Sequence, residues 1–491
     1  MKYYSTRDKS NIVTAAQAIA QGLASDGGLF VPETIPAVPM KEIEALCKMD
    51  YRERAVVIMG KYLDEFTEDE LRGFVRDAYA DNYDCKEIAP TVFLNDNTGV
   101  LELWHGPTCA FKDMALQMLP RLLTASLKKL GEKRKVCILV ATSGDTGKAA
   151  LEGFADVEGT SIVVFYPRDG VSDVQKLQMT TQHGENVFVS AVEGNFDDAQ
   201  TGVKMIFGDR GFAKSLDEKG CFLSSANSIN WGRLLPQVVY YFSAYCDYVN
   251  SGKIKMGNEI DFCVPTGNFG DILAGWYAKK MGLPVRKLIC ASNRNNVLTD
   301  FISTGVYDRN REFYTTISPS MDILVSSNLE RLLFMLSDDA SVKGWMDELK
   351  TVGKYDVGAK VLDSIQADYI GGYTSDEDAK SYIKDLFKNT GYLMDTHTAD
   401  AYAVLEKLRK EGETFPTVLV STASPYKFCD SVLEALGEDS SKPGAELIAS
   451  LSVVTGTKAP TPLTGLDSRE VRFKDCTPKE DMPNVVMNFL G

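Results

Sequence analysis

Short apolar runs, each long enough for one strand, recur along this chain and alternate with stretches of helical amphipathic pattern. The runs are VCILVAT, TSIVVFYP, NVFVSAVEG, DFCVPTG, VRKLICASN and TVLVSTASP, at residues 136–142, 160–167, 186–194, 261–267, 285–293 and 417–425. Strands without a polar face must be covered on both sides, and strands joined through helices run parallel. The alternation therefore predicts an α/β fold of parallel sheets covered by helices.

The segments outside this alternating region differ from it in residue composition and in hydrophobic pattern. Residues 1–90 are charged and mainly helical in pattern, with a turn-rich interruption at 24–36. TVFLND (91–96) and VLELWHG (100–106) predict the two strands of a hairpin with its turn at Asn97-Thr98-Gly99. Segment 310–390 is rich in charge and in helical pattern, and we interpret it as a helical insertion.

The composition excludes several classes of function. The chain has 491 residues and a net charge of −15, which disfavours nucleic acid and anionic membranes as partners. Ten cysteines without a CxxC pair, with only three histidines, predict no metal site and a reducing, cytoplasmic environment. The N-terminus lacks a signal-like apolar segment, and no apolar run reaches the ~18 residues that span a bilayer. A small anionic substrate would need local positive charge in a pocket.

One lysine, Lys112, lies in the apolar stretch LWHGPTCAFKDMAL (103–116). Such a lysine usually extends its amine to water. Alternatively, burial lowers the pKa of the amine and leaves it neutral, able to form a Schiff base. We interpret the neighbouring Asp113 as a helix cap and as the one charged neighbour of Lys112, and we expect Pro120 to kink or delay the helix that follows.

A first glycine-containing loop, SGDTGKA (143–149), follows the strand at 136–142. It differs from the nucleotide-binding P-loop, which requires glycine where Thr142 stands and serine or threonine where Ala149 stands. Backbone N–H groups at the start of the next helix could bind an anion such as a carboxylate. A tight turn without a ligand explains these residues equally well.

Two further loops, PTGNFGDILAG (265–275) and SSANSINWGR (224–233), also precede helical patterns. Gly267 and Gly270 would let a phosphate approach the backbone at a helix N-terminus. Arg233, at the end of the second loop, could clamp a phosphate with its planar set of donors. Each loop could instead be structural, as a turn in the first case and as a helix cap with a surface arginine in the second.

Taken in order, ASDGGLFVP, HGPTCAFKD, ATSGDTG, SSANSINWGR, PTGNFGD and STASPYKF span residues 24–428 and resemble the threonine synthase family. This family belongs to the fold-type II pyridoxal-phosphate enzymes, related to tryptophan synthase β. The long N-terminal unit is similar to the enterobacterial and fungal branch. The resemblance implies two three-layer α/β/α subdomains with parallel sheets, plus a mostly helical N-terminal domain over 1–90. The larger, cofactor-binding subdomain would comprise 91–135 and 236–491, and the smaller one 136–235.

The resemblance also assigns roles to individual residues. Lys112 would be the Schiff-base lysine and the proton carrier. The cradle of the cofactor phosphate would be Gly267, Asn268, Phe269, Gly270 and Asp271, and Thr422 would face the pyridine nitrogen. The substrate carboxylate and phosphate would be held by Thr142, Ser143, Gly144, Asp145, Thr146, Asn227, Ser228, Asn230 and Arg233. Many relatives carry histidine where Ser424 stands, so Ser424 is left without a role, and His105 is interpreted as a packing residue.

The implied reaction is a pyridoxal 5′-phosphate-dependent γ-elimination of phosphate followed by β-addition of water. It would convert O-phospho-L-homoserine to L-threonine and phosphate, in a monomer or a homodimer. Two alternatives stay open. A related phospho-lyase would release a 2-oxo acid, with serine or threonine dehydratase as a weaker version because it needs no phosphate clamp. A non-catalytic binding protein could have kept the fold.

Overall fold

The N-terminal ninety residues combine a small antiparallel sheet with four helices in this computed structural model, which describes residues 1–169 and 171–491. The strands are β1 (Lys2–Ser5), β2 (Asp8–Thr14) and β3 (Phe30–Pro32), and the helices are α1 (Ala15–Gln21), α2 (Met40–Leu46), α3 (Tyr51–Gly60) and α4 (Glu68–Ala78). The sheet, in the order β2-β1-β3, was not predicted. Its central strand β1 has four residues, too few for a periodic pattern to register.

A six-stranded sheet forms the larger subdomain, in the order β14-β11-β10-β15-β5-β4. Its strands are β4 (Thr91–Phe93), β5 (Thr98–Glu102), β10 (Ile260–Pro265), β11 (Val285–Ser292), β14 (Tyr369–Tyr373) and β15 (Thr417–Ser421). All neighbouring pairs are parallel except β4 with β5. Its helices are α5 (Asp113–Leu116), α6 (Leu119–Lys129), α11 (Trp231–Asn250), α12 (Gly270–Met281), α13 (Val297–Thr304), α18 (Thr396–Lys410) and α19 (Cys429–Leu436).

Two expectations about this subdomain need correction. The hairpin exists, but Thr98 and Gly99 belong to β5, so the turn lies just before them, where the N–H of Leu94 donates to the carbonyl of Thr98. The insertion is not purely helical, because β14 within it is an edge strand of the main sheet. The other elements of the insertion are β13 (Lys354–Asp356), α14 (Leu329–Leu336), α15 (Asp339–Thr351), α16 (Gly358–Asp368) and α17 (Asp376–Thr390). Strand β12 (Val306–Asp308) lies just before the insertion and pairs antiparallel with β13.

A five-stranded, all-parallel sheet forms the smaller subdomain, in the order β16-β8-β7-β6-β9. Its strands are β6 (Lys135–Ala141), β7 (Thr160–Pro167), β8 (Val187–Val192), β9 (Cys221–Ser224) and β16 (Cys476–Thr477). The associated helices are α7 (Asp145–Phe154), α8 (Asp173–Thr180), α9 (Phe196–Gly208), α10 (Arg210–Glu218) and α21 (Met482–Leu490). Helix α20 (Gly444–Thr455) packs mainly against α19 of the larger subdomain.

The chain's last segment belongs with this smaller sheet, contrary to the predicted boundary that placed all of 236–491 in the larger subdomain. Strand β16 pairs with β8, and Met482 and Val486 of α21 join the buried cluster on one face of the sheet. A two-residue strand carries no sequence signal of its own, and only its pairing partner identifies it.

The sheet order brings three loops together. Strands β5, β15 and β10 are neighbours and run parallel, so their carboxyl ends lie side by side. Lys112 follows β5, Thr422 follows β15, and residues 266–271 follow β10. The carboxyl edge of a parallel sheet is where α/β proteins place their ligands. Within the described residues, no helix combines the length and apolar character needed to cross a membrane.

Candidate active site

Lys112 immediately precedes α5, and its side chain is only 10% exposed, which excludes the solvent-extended interpretation. Burial lowers the pKa of its amine to about 8, although the carboxylate of Asp145 opposes this. The Lys112 Nζ lies 3.8 Å from Asp145 Oδ2 and 4.7 Å from the centre of the Phe111 ring. The lysine is therefore a weakly basic amine in a largely dry pocket.

The predicted role of Asp113 was wrong. Asp113 lies in the first turn of α5, and its carboxylate accepts hydrogen bonds from the N–H (2.8 Å) and the hydroxyl (2.7 Å) of Thr108. It therefore fixes the loop that leads into Lys112 rather than capping the helix. Pro120 lies at the start of α6, after a break that separates α5 from α6, as expected for its missing N–H.

A second buried lysine, Lys427, belongs to the same site and was left without a role by the sequence. Its Nζ lies 2.7 Å from Asp145 Oδ1 and donates to the carbonyl of Thr108 at 2.9 Å. Gln175 Nε2 also donates to Asp145 Oδ1, at 2.7 Å. Burial would raise the pKa of Asp145, but Lys427 and Lys112 together hold it well below its usual range. Asp145 is therefore an ionised carboxylate between two lysines.

Close helix packing places Asp145 beside Lys112. A Cβ on Gly153 of α7 would lie 2.1 Å from the carbonyl oxygen of Leu116 in α5, so only glycine permits this approach. At the start of α7, the hydroxyl of Thr142 accepts the N–H groups of Gly144 (3.0 Å) and Gly147 (2.8 Å). The loop 142–147 is thus held by its own side chain. Lys148 pairs with Glu152 at 2.8 Å.

The loop 267–271 presents backbone N–H groups at the N-terminus of α12. Phe269 has φ +64°, the left-handed conformation that a non-glycine residue adopts at an energetic cost. Among described residues, none accepts a hydrogen bond from the N–H groups of 267–271. The side chain of Asp271 turns away to Tyr240 (2.6 Å) and Tyr241 (2.8 Å). Burial raises the pKa of Asp271 to about 6, and the two hydroxyls oppose this.

Arg233 is a buried guanidinium at the start of α11, only 3% exposed. Its Nη1 donates to the carbonyl of Ala226 at 2.8 Å, and its Nε has no partner among the described residues. Burial lowers the pKa of Arg233 to about 10, so the group stays cationic at neutral pH. The same loop approaches the 267–271 loop, since a Cβ on Gly270 would lie 4.0 Å from the Cβ of Ser228.

Asn230 does not present a free polar group to this site. Its Oδ1 accepts the N–H of Gly232 at 2.8 Å and so caps α11, while its Nδ2 donates to the carbonyl of Ile19 at 3.0 Å. Both side-chain functions are thereby used within the fold. The sequence interpretation of the loop as a helix cap therefore holds for Asn230, whereas Arg233 is buried rather than a surface residue.

The segment after β15 lies antiparallel to the segment that carries Lys112. The N–H of Phe111 donates to the carbonyl of Thr422 at 2.8 Å, and the N–H of Ser424 donates to the carbonyl of Cys109 at 3.0 Å. Thr422 is therefore held next to Lys112, and the Ser424 hydroxyl accepts the N–H of Tyr426 at 3.3 Å. Within the described ranges, no group of three or more His, Cys, Asp or Glu side chains could hold a metal ion.

His105 lies at the edge of this region between two carboxylates. Its Nδ1 lies 2.6 Å from Asp84 Oδ1, and its Nε2 lies 2.9 Å from Glu102 Oε2. Burial lowers the pKa of the imidazole, but the bonds with Asp84 and Glu102 outweigh burial and raise it to about 9. The ring also stacks on Trp104 at 4.4 Å. These contacts describe a structural, charged histidine.

Comparison with known proteins gives consistent matches along the chain. Residues 2–79 match the family described as Threonine synthase N terminus, residues 100–423 match Pyridoxal-phosphate dependent enzyme, and residues 398–486 match Threonine synthase, C-terminal. The chain is 40% identical to threonine synthase of Pseudomonas aeruginosa, over 89% of this chain and 90% of that protein.

Two further relatives extend this likeness. Threonine synthase-like 1 of Homo sapiens is 42% identical over 86% of this chain, which spans only 58% of that relative's length. The solved structure of pyridoxal-phosphate-bound threonine synthase from Brucella melitensis superimposes with a TM-score of 0.88 and 37% identity. That match covers 100% of this chain and 98% of the other.

Proposed function

Because the chain belongs to the threonine synthase family of pyridoxal-phosphate-dependent enzymes, we propose that it converts O-phospho-L-homoserine to L-threonine and phosphate. Membership of this family confirms the predicted fold-type II architecture and pyridoxal 5′-phosphate as the cofactor. The reaction, the substrate and the roles of individual residues are proposals. They rest on the charges and free donors that surround Lys112.

The described residues fit this cofactor. Lys112 supplies a buried amine of lowered pKa, suited to bond covalently with the cofactor's aldehyde. The unpartnered N–H groups of loop 267–271 supply donors at a helix N-terminus, suited to its phosphate. Thr422, held beside Lys112, supplies a hydroxyl for the pyridine nitrogen. Asp271 contributes its backbone N–H, because its carboxylate is taken by Tyr240 and Tyr241.

The main support for the proposed substrate is the burial of the Arg233 side chain. Among the described residues, the buried guanidinium of Arg233 has a free Nε and is paired with a carbonyl instead of a carboxylate, so a bound anion would compensate its charge. Arg233 is also close enough to lower the pKa of Lys112. An anionic group on the substrate would therefore lie within one small molecule's length of the reacting amine. A γ-phosphate satisfies both conditions.

Lys112 is the residue placed to move protons. The bound cofactor would take up the negative charge that develops on the substrate when its α-proton leaves. Lys112 Nζ would remove the α-proton, pass it to the bound cofactor and, neutral again, remove a β-proton, whose loss expels phosphate from the γ-carbon. Arg233 would hold the phosphate through this step. Lys112 would then return one proton to the γ-carbon, which becomes the methyl group, and, after taking back the proton left on the cofactor, one to the α-carbon, while water supplies the hydroxyl at the β-carbon and a proton to the phosphate.

The substrate carboxylate would bind backbone N–H and hydroxyl groups of loop 142–146. Ser143 and Thr146 are half-buried there, whereas Thr142 uses its hydroxyl to hold the loop. The carboxylate of Asp145 would repel a second carboxylate, so we assign it to Lys112 and Lys427 instead. Asn227 and Ser228 stay candidates for the phosphate, and Asn230 is assigned to the helix cap.

Product analysis tests this proposal. Purified protein loaded with pyridoxal phosphate should convert O-phospho-L-homoserine to L-threonine and phosphate in equal amounts. A 2-oxo acid with phosphate and ammonia would instead support the alternative phospho-lyase. Cofactor loading without any product would support the non-catalytic alternative.

We place the reaction in the cytoplasm, in a monomer or homodimer. The placement is supported by ten cysteines, all of them unpaired in the described structure, which suits a reducing compartment. Measurement of the molecular mass in solution decides between the two assemblies.

A further inference from the structure

We propose that Lys427 is a positioning residue that engages Asp145 and so prevents this carboxylate from holding Lys112 as an unreactive ammonium ion. The inference rests on the proposed function, because it explains how the proton-carrying amine of Lys112 is kept free. Lys427 lies in a short helical turn, Pro425–Lys427, which is distant in sequence from both Asp145 and Lys112.

The two oxygens of Asp145 have different surroundings. Oδ1 accepts Lys427 Nζ at 2.7 Å and Gln175 Nε2 at 2.7 Å, so it is fully engaged. Oδ2 faces Lys112 Nζ at 3.8 Å, which is beyond hydrogen-bond distance. The carboxylate of Asp145 is therefore oriented toward Lys427. It interacts electrostatically with Lys112 without forming a hydrogen bond to it.

Burial makes this arrangement sensitive to charge. Lys427 has no exposed surface, and Asp145 is 3% exposed, so neither ion can be compensated by water. Lys427 also donates to the carbonyl of Thr108, whose hydroxyl and N–H bind Asp113 in the helix of Lys112. One ammonium thus joins Asp145 to the loop that precedes Lys112, and this fixes the 3.8 Å separation.

Among the described residues, the four charged groups that act most on Lys112 come from four different elements. Asp145 of α7 and Asp271 of α12 favour the ammonium form, whereas Arg233 of α11 and Lys427 oppose it. Loss of Lys427 would remove one opposing charge and release Asp145 to bind Lys112, so both effects favour the ammonium. Loss of Asp145 has the opposite sign. Opposite shifts from the two ends of one ion pair would not arise from a purely structural pair.

The test uses the full-length chain and follows the rate at which the cofactor-free protein captures pyridoxal phosphate, from pH 6 to 10. Capture needs the unprotonated amine, so its pH midpoint reports the ionisation of Lys112. K427Q, which keeps a donor for Thr108 and Asp145, should raise the midpoint by about one pH unit, and D145N should lower it by about one. D145N/K427Q should fall between the two single variants.

The chain offers a matched control in the second buried lysine pair, Lys148 with Glu152, which lies on the same helix as Asp145. K148M/E152Q should leave the midpoint within about 0.3 pH unit of the parent, since neither residue is among the charges that act most on the pKa of Lys112. Shifts of K427Q and D145N in the same direction, or no shift in either, would overturn the proposal. If K427Q does not fold, K427M replaces it and the same opposition of signs is required.

Turnover is then measured across the same pH range. K427Q should be several-fold slower than the parent at pH 7 and recover at higher pH, where the amine is unprotonated in both proteins. Capture needs no substrate, so the two proposals can fail separately. A parent protein that captures the cofactor but forms no threonine would remove the proposed function and leave the role of Lys427 intact.

Discussion

Asn328 donates two hydrogen bonds to one oxygen, the carbonyl of Asn268, from its backbone N–H at 3.0 Å and from Nδ2 at 3.1 Å. Its Oδ1 accepts a hydrogen bond from Nη1 of Arg331. The other nitrogens of this guanidinium donate to backbone carbonyls, Nη2 to Ile229 and Nε to Phe30. Asn328 therefore links the loop proposed to bind the cofactor phosphate with the loop that carries Arg233 and with the N-terminal sheet.

Asn328→Ala should weaken the binding of pyridoxal phosphate, since the loop 267–271 loses a side-chain bond worth about 1 kcal/mol. We expect roughly fivefold lower cofactor affinity, measured by titration of the cofactor-free protein. Asn328→Asp is the matched variant, because its side chain keeps an acceptor for Arg331 but can no longer donate to the carbonyl of Asn268. It should lose affinity as well while keeping its stability, and parent-like affinity in both variants would exclude this role.

Lys112→Ala should abolish turnover without unfolding the protein. Removal of one amine that serves as covalent anchor and proton carrier costs about 10²–10⁴ in rate for proton transfer alone. Stability should be little changed, since the 3.8 Å between the amine and Asp145 Oδ2 is beyond hydrogen-bond distance. Lys112→Arg keeps the charge and should be equally inactive. Measurable turnover by either variant would contradict the assignment of Lys112.

Arg233→Ala should weaken the productive complex with O-phospho-L-homoserine by about 2–4 kcal/mol, the value of a buried charge-assisted contact. Capture of the cofactor should be unaffected, because its phosphate is assigned to another loop. Binding of L-homoserine, which lacks the phosphate, is the internal comparison and should change little. Equal weakening of both ligands would show that Arg233 holds its loop through Ala226 instead of holding the phosphate.

His105 should make stability depend on pH. Its pKa is raised from 6.5 to about 9 in the folded protein, because Asp84 and Glu102 favour the charged ring. The resulting stabilisation is fully present below pH 6.5 and is lost as the pH rises through 9. We expect the free energy of unfolding to fall by about 1–3 kcal/mol over this range, allowing for partial solvent screening.

His105→Gln is the control for this prediction. The variant should be less stable than the parent at pH 6 and should lose most of the decline between pH 6.5 and 9. Urea unfolding at four pH values measures both. An unchanged decline in His105→Gln would assign the pH dependence to another group.

Several features of the fold were readable from local pattern. The run TSIVVFYP corresponds to β7 residue for residue, and the apolar runs at 285–293 and 417–425 correspond to β11 and β15 within a few residues. Strand β9 was missed because its four residues adjoin the polar loop 225–233. Propensity and alternation are properties of neighbours in sequence, so they identify long elements and fail for short ones that depend on a pairing partner.

The candidate site likewise has some features that the sequence indicates and others that only the structure reveals. Lys112 and the loops 143–149, 224–233 and 265–275 could be proposed from the sequence, because each combines residue types that a ligand site needs within one short segment. The ion pair of Lys427 with Asp145, the bond of Asn328 with Asn268 and the capping role of Asn230 were not.

The sequence by itself determined which segments become buried strands and which amine could be reactive, since both follow from residues adjacent in the chain. Only the tertiary structure decided which charges face that amine. Gly153 lets α7 approach α5, and this approach places Asp145 between Lys112 and Lys427. Interaction energies between charges depend on distance and burial, and neither quantity is encoded by separation along the chain.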